Sequence, residues 1–146
     1  IIPYIHPGSK LGALVEINCE TDFVARTEAF QDFAKDVAMH IAAASPLTIM
    51  REDVSSDLIA KEKEIYKDQA LQSGKPENII EKMIEGRLNK FYQENVLLEQ
   101  TFVKNSDQTI KDLLNDTIST LGENIEIKRF SRFQLGELSN PDENLE

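Results

Sequence analysis

The chain has 146 residues, 40% of them hydrophobic and 29% charged, with a formal net charge of −10. That length fits one domain with a sizeable core, and the composition is that of a globular protein rather than a disordered one. The acid excess repels a phosphate backbone, which excludes direct nucleic-acid binding as a first reading, and no apolar run approaches the roughly 20 residues that cross a bilayer, so no membrane is expected either.

Taken in chain order, the first 18 residues read as a β-hairpin. Ile1 to Ile5 is apolar and β-rich, and His6-Pro7-Gly8-Ser9 carries turn chemistry. Leu11, Ala13, Val15 and Ile17 then alternate with their neighbours at period two, which marks a half-buried strand. Residues 19–26 break the rhythm. Thr27 caps a helix with Glu28 in its first turn, and Phe30, Phe33, Ala34, Val37 and Ile41 fall on one face. Pro46 stops that helix, and Leu47 to Met50 is a short extended segment.

Ser55 or Ser56 caps the next helix, which runs to about Ser73 with Leu58, Ile65, Tyr66 and Ala70 on its apolar face. Gly74 suits the position after a helix and Pro76 the first turn of another. That helix carries Ile79, Ile80, Met83, Ile84, Leu88 and Phe91. Two long helices joined so tightly are expected to fold back as an antiparallel hairpin. Gly86 inside the second costs about 1 kcal/mol against alanine, tolerable where a neighbouring helix approaches closely.

Asn105-Ser106-Asp107 caps a fourth helix bearing Ile110, Leu113, Leu114, Ile118 and Leu121, and Gly122 ends it. Ile125 to Leu135 returns as a strand whose alternation slips near Arg129-Phe130 and again near Phe133, the mark of a bulge. The acidic tail over 137–146 reads as frayed. The expected fold class is α+β: a small antiparallel three-stranded sheet, helices on one face, and the helical hairpin over about 56–94 inserted in a core of 1–136.

Little here promises catalysis. His6 and His40 lack Cys or His neighbours at metal-ligand spacing, so no metal site is expected. Ser73-Gly74-Lys75-Pro76 has one glycine where a phosphate loop needs two, and no serine elbow occurs. A Cys19–His6 thiol pair has nothing evident to orient its base. Cys19 is the single cysteine, so no internal disulfide is possible; it reads as a small buried apolar residue in a reducing compartment.

The unusual stretch is 18–26. Phe23 and Val24 sit between a finished strand and a helix cap. A large apolar residue on such a corner either tucks under the first helix or waits for a partner. Pattern alone leaves both open and leans to the first.

The run Lys10 to Ala25 (KLGALVEINCETDFVA) resembles the signature of the elongation factor Ts family. So do Ile41-Ala42-Ala43-Ala44, Gly74-Lys75-Pro76-Glu77, Glu85-Gly86-Arg87-Leu88 and Leu121-Gly122-Glu123-Asn124-Ile125, in the family's order over nearly the whole chain. The likeness is to the short, single-core form, with the family's N-terminal helical module absent, so a fragment or trimmed chain is expected. The resemblance implies a nucleotide exchange factor, not an enzyme, with no cofactor, acting on the GTPase elongation factor Tu. Thr21, Asp22, Phe23 and Val24 would meet the GTPase near its magnesium site, and Asp22 would disturb the metal's surroundings. His6 and the turn Leu121, Gly122, Glu123 and Asn124 would add secondary contacts, and the helical hairpin would project as a coiled coil. The compartment implied is cytoplasmic, with plastid stroma or mitochondrial matrix as alternatives. A second reading is an acidic helical scaffold that binds without exchange activity. A sheet with one uncovered apolar face also admits a homodimer.

Overall fold

Period-two alternation over residues 11–18 and helical spacing over 30–41 give each element one apolar side, and the two sides meet. A computed structural model describes residues 1–137. The chain divides into two units, Ile1–Ser45 with the segment from Phe102 onward, and Pro46–Thr101.

In the first unit, β1 (Ile2–Ile5) and β2 (Leu11–Asn18) form the expected hairpin. Gly8 and Ser9 take positive φ in its turn, and the His6 N–H closes onto the Leu11 carbonyl at 2.8 Å. β5 (Glu126–Gln134) pairs antiparallel with the other edge of β2, giving the order β1-β2-β5. The α+β class with a three-stranded antiparallel sheet is therefore as the sequence implied. Glu16 pairs with Arg129 but Ile17 with Ile127, so Lys128 is the extra residue of a bulge, close to the expected slip.

One sheet face buries Ala13, Val15, Ile17 and Ile127 under α2 (Glu28–Ala44), which contributes Phe30, Phe33, Ala34, Val37 and Ile41. Each large side chain so buried stabilises by roughly 1.5–3 kcal/mol. His40 is fully buried among them, and its Nδ1 accepts the Val103 N–H at 3.3 Å. Arg132 Nε donates to the Ala42 carbonyl at 3.0 Å, satisfying a group the end of α2 leaves open.

The expected cap at Asn105-Ser106-Asp107 is corrected. Those residues lie in β4 (Asn105–Thr109), paired with the short β3 (Thr101–Phe102). Asn105 Oδ1 accepts the Asp107 N–H in a local turn. The cap of α5 (Ile110–Leu121) is Thr109: its hydroxyl accepts the Asp112 N–H at 3.2 Å, and the Asp112 carboxylate accepts the Thr109 N–H at 2.9 Å. This reciprocal box satisfies two open donors at once. Gly122 ends α5 at φ +70, a left-handed conformation that glycine adopts without strain. Of the acidic tail expected over 137–146, all but Glu137 lies outside the described residues.

In the second unit, the extended segment expected at Leu47 to Met50 reduces to a single bridge, Thr48 with Val96. Leu47 N–H donates to the Asn95 carbonyl, and Leu97 N–H to that of Thr48. Arg51 binds the Glu99 carboxylate through Nε and Nη2 and lies 4.2 Å over the Tyr92 ring. α3 (Ser56–Leu71) and α4 (Glu77–Asn95) pack together across the turn at Gly74, which has φ +70. Arg87 of α4 bonds the Gln69 amide of α3 and lies 5.8 Å over Tyr66. Pro76 is the N-cap itself, one place before the expected position. Ile65 and Ile79, read as part of apolar faces, are exposed. Nothing stands within 4 Å of where a Gly86 Cβ would be, so the close helix invoked for that glycine is absent.

Candidate functional site

The corner after β2 holds an element too short to carry a period. Thr21 is an N-cap with extended backbone, and its hydroxyl accepts the Val24 N–H at 3.3 Å. Asp22–Ala25 make one helical turn, α1. Its far end is closed by side chains as well: Gln31 Nε2 donates to the Ala25 carbonyl at 2.7 Å, and the Thr27 hydroxyl to that of Val24 at 2.7 Å. The sequence pattern placed no helix here, because four residues are too few to show one.

No residue of α1 is buried. Phe23 is 86% exposed, so the reading that tucks it under the first helix is overturned. Asp22 is equally open, and its carboxylate meets Arg26 Nη2 only at 3.8 Å between two solvated side chains. Such a pair contributes little, and it leaves the carboxylate available. Val24 and Cys19 are half-buried, Cys19 with its Sγ 3.3 Å from the Thr21 carbonyl rather than sealed in the core.

The turn after α5 comes to this corner. Glu123 Oε1 accepts the Glu20 N–H at 3.2 Å and the Thr21 N–H at 3.0 Å, and Oε2 accepts the Thr21 hydroxyl at 2.7 Å. In return Glu20 Oε2 accepts the Asn124 N–H at 2.9 Å. Of the residues singled out in the sequence, Thr21, Glu123 and Asn124 are thus brought together with Phe23, and Leu121 and Gly122 lead into the same turn. Glu20 and Gln31 were not singled out. A carboxylate just before a helix cap was the only local signal for Glu20.

His6 is not part of the cluster. It sits in the hairpin turn, its Nδ1 2.9 Å from the Tyr4 hydroxyl, at the opposite end of β2. Seven residue steps of strand separate the two ends of β2, roughly 23 Å at the usual rise. The same separation parts His6 from Cys19, so they form no thiol pair. Among the described residues no group of three His, Cys, Asp or Glu side chains is placed to hold a metal ion, and no described helix is long and apolar enough to cross a membrane. What the corner offers is an exposed ring and an exposed carboxylate on a fixed turn, a shape suited to entering another protein.

The family profile described as elongation factor TS matches residues 1–137. The chain is 62% identical over 134 residues to the elongation factor Ts of Geotalea daltonii, covering 92% of this chain and 62% of that protein. It is 61% identical to that of Geobacter sulfurreducens and 60% to that of Carboxydothermus hydrogenoformans, with the same coverage. The chain therefore spans about three fifths of the length of these relatives.

Proposed function

The chain belongs to the elongation factor Ts family, and from that premise we propose that it is a guanine nucleotide exchange factor for elongation factor Tu in translation elongation. It engages the GDP-bound GTPase, disturbs its magnesium site and promotes GDP release, making and breaking no covalent bond. The cytoplasm is the proposed compartment. The observation that carries the reading is the exposure of Phe23 on a corner with no fully buried residue.

Such a factor must bind the nucleotide-free partner better than the GDP-bound one, and GDP weakens its grip by the same ratio. Each tenfold in that ratio needs about 1.4 kcal/mol of differential contact. A phenylalanine passing from water to full burial supplies roughly 1.5–3 kcal/mol, so Phe23 accounts for about ten- to a hundredfold. The remainder is assigned to Asp22, whose exposed carboxylate would perturb the partner's metal. Magnesium bridges phosphate oxygens, so loosening it weakens the nucleotide's hold. Thr21 and Val24 present these two side chains. The turn Leu121, Gly122, Glu123 and Asn124 beside the corner, and His6 at the other end of β2, are proposed as separate secondary contacts. The helix pair over about 56–94 serves as the coiled coil of the family's core.

A second copy of the chain is proposed on the outer sheet face, where Ile5, Leu14, Phe133 and Leu135 are exposed. Sedimentation at micromolar concentration decides that point: one species of single-chain mass removes the dimer.

Release of a fluorescent GDP analogue from elongation factor Tu, with and without the chain, tests the main reading. Acceleration is the expected result. Binding in a pull-down with no acceleration would make the chain an acidic scaffold instead.

A further inference from the structure

Four residues are far below the length at which a helix holds by itself in water. α1 also lacks the usual remedy, since none of its side chains is buried. Its geometry therefore depends on hydrogen bonds supplied from outside. At the N-terminal end the bond to α1 comes from Thr21, and Thr21 is itself held by Glu123.

The direction of the bonds decides what Glu123 does. An ionised carboxylate only accepts. The Thr21 hydroxyl at 2.7 Å must therefore give its hydrogen to Glu123 Oε2. That turns its lone pairs toward the Val24 N–H, which is the capping bond of α1. Oε1 meanwhile takes the backbone N–H groups of Glu20 and Thr21. Both oxygens face the corner. The return bond from the Asn124 N–H to Glu20 Oε2 ties the opposite side of the same junction. Two turns about 100 residues apart thus hold each other through two crossed carboxylates, and hydrogen bonds to a charged acceptor are roughly twice as strong as neutral ones.

We propose that Glu123 is a positioning residue for exchange: with Glu20 it clasps the Gly122–Asn124 turn to the Thr21 corner and so holds the Phe23 ring outward, acting on the GTPase through Phe23 rather than by touching it. The action on the GTPase rests on the exchange reading above; the clasp itself does not. Within that reading, the proposal moves Glu123 from the contact surface to its support. A ring on a disordered corner must be ordered at each encounter, and that cost is subtracted from the binding that drives release.

The experiment has two arms on the whole chain. In the first, ¹⁵N relaxation is measured on the free protein. Glu123→Ala, and independently Glu20→Ala, should drop the order parameters of residues 21–25 from the rigid range near 0.85 to below about 0.6, with α2 unchanged. Unchanged values in both variants overturn the clasp, whatever the partner does. In the second arm, GDP release is followed for Glu123→Ala, Phe23→Ala and the double variant. Glu123→Ala should slow release at least threefold, and the double variant should be no slower than Phe23→Ala within about twofold, because two residues acting through one ring are not additive. Multiplied effects would show Glu123 touching the partner itself and overturn its positioning role. If Phe23→Ala alone leaves release unchanged, the exchange reading loses its wedge, while the relaxation arm still decides the clasp.

Discussion

Two helices follow each other along the chain and begin in the same way. Thr21 caps α1 through the Val24 N–H, and Thr27 caps α2 through the Phe30 N–H. Beyond the caps they have nothing in common. α2 buries Phe30, Phe33, Ala34, Val37, Ala38, His40, Ile41 and Ala42, whereas α1 buries no residue at all. α5 stands between them, with Ile110 buried and a half-buried stripe at Leu113, Leu114, Thr117 and Ile118. Hydrogen bonds at a helix end fix where the helix starts and how it points. Apolar burial fixes how much its loss costs the fold. An element given the first without the second is well placed and nearly free of duty to the core, so its side chains are available to another molecule.

The two phenylalanines ten residues apart put this contrast to the strongest test. Phe33 is 3% exposed, and Phe33→Ala should cost about 3–5 kcal/mol in urea unfolding. Phe23→Ala should move the same midpoint by less than about 0.5 kcal/mol. Similar losses at both sites would break the contrast. The caps come next. Thr27→Ala should destabilise by about 1 kcal/mol, since α2 belongs to the cooperative core. Thr21→Ala should leave global unfolding within about 0.5 kcal/mol while α1 loses its order. Equal costs in paired denaturation curves would mean that α1 is part of the core after all.

The smallest effect is expected at α5. The backbone N–H and hydroxyl of Thr109 hold the Asp112 carboxyl below its ordinary value of 3.8. A depressed folded value favours the folded state at pH above 3.8, and that contribution is lost as pH falls through the lower value. Thermal melts taken across that range should therefore show a slightly shallower acid loss for Asp112→Asn than for the parent. Identical acid profiles would remove the box from the account of α5.

What was legible in the sequence follows the same division. The hairpin and α2 could be read because Leu11 to Ile17 and Phe30 to Ile41 repeat at the period of their element, and burial is what produces the period. α1 has no fully buried residue and is too short to show a period. The cap of α5 was misread because Asn105, Ser106 and Asp107 are good capping residues that also suit a turn, and the true box ends in aspartate rather than the usual glutamate or glutamine. The Glu20–Asn124 and Glu123–Thr21 bonds join segments more than 100 residues apart, and nothing local announces them. The role proposed for residues 21–24 comes from resemblance, and the exposure of Phe23 comes only from the fold.

Phe23 is proposed as the group that enters the GTPase, because its ring is exposed on the α1 corner. The direct measurement is the rate at which elongation factor Tu releases a fluorescent GDP analogue in the presence of the parent chain and of Phe23→Ala, both confirmed folded by their unfolding midpoints. A slowing of about tenfold or more is predicted, the equivalent of at least 1.4 kcal/mol of lost transition-state contact. Equal rates for the two proteins would contradict it.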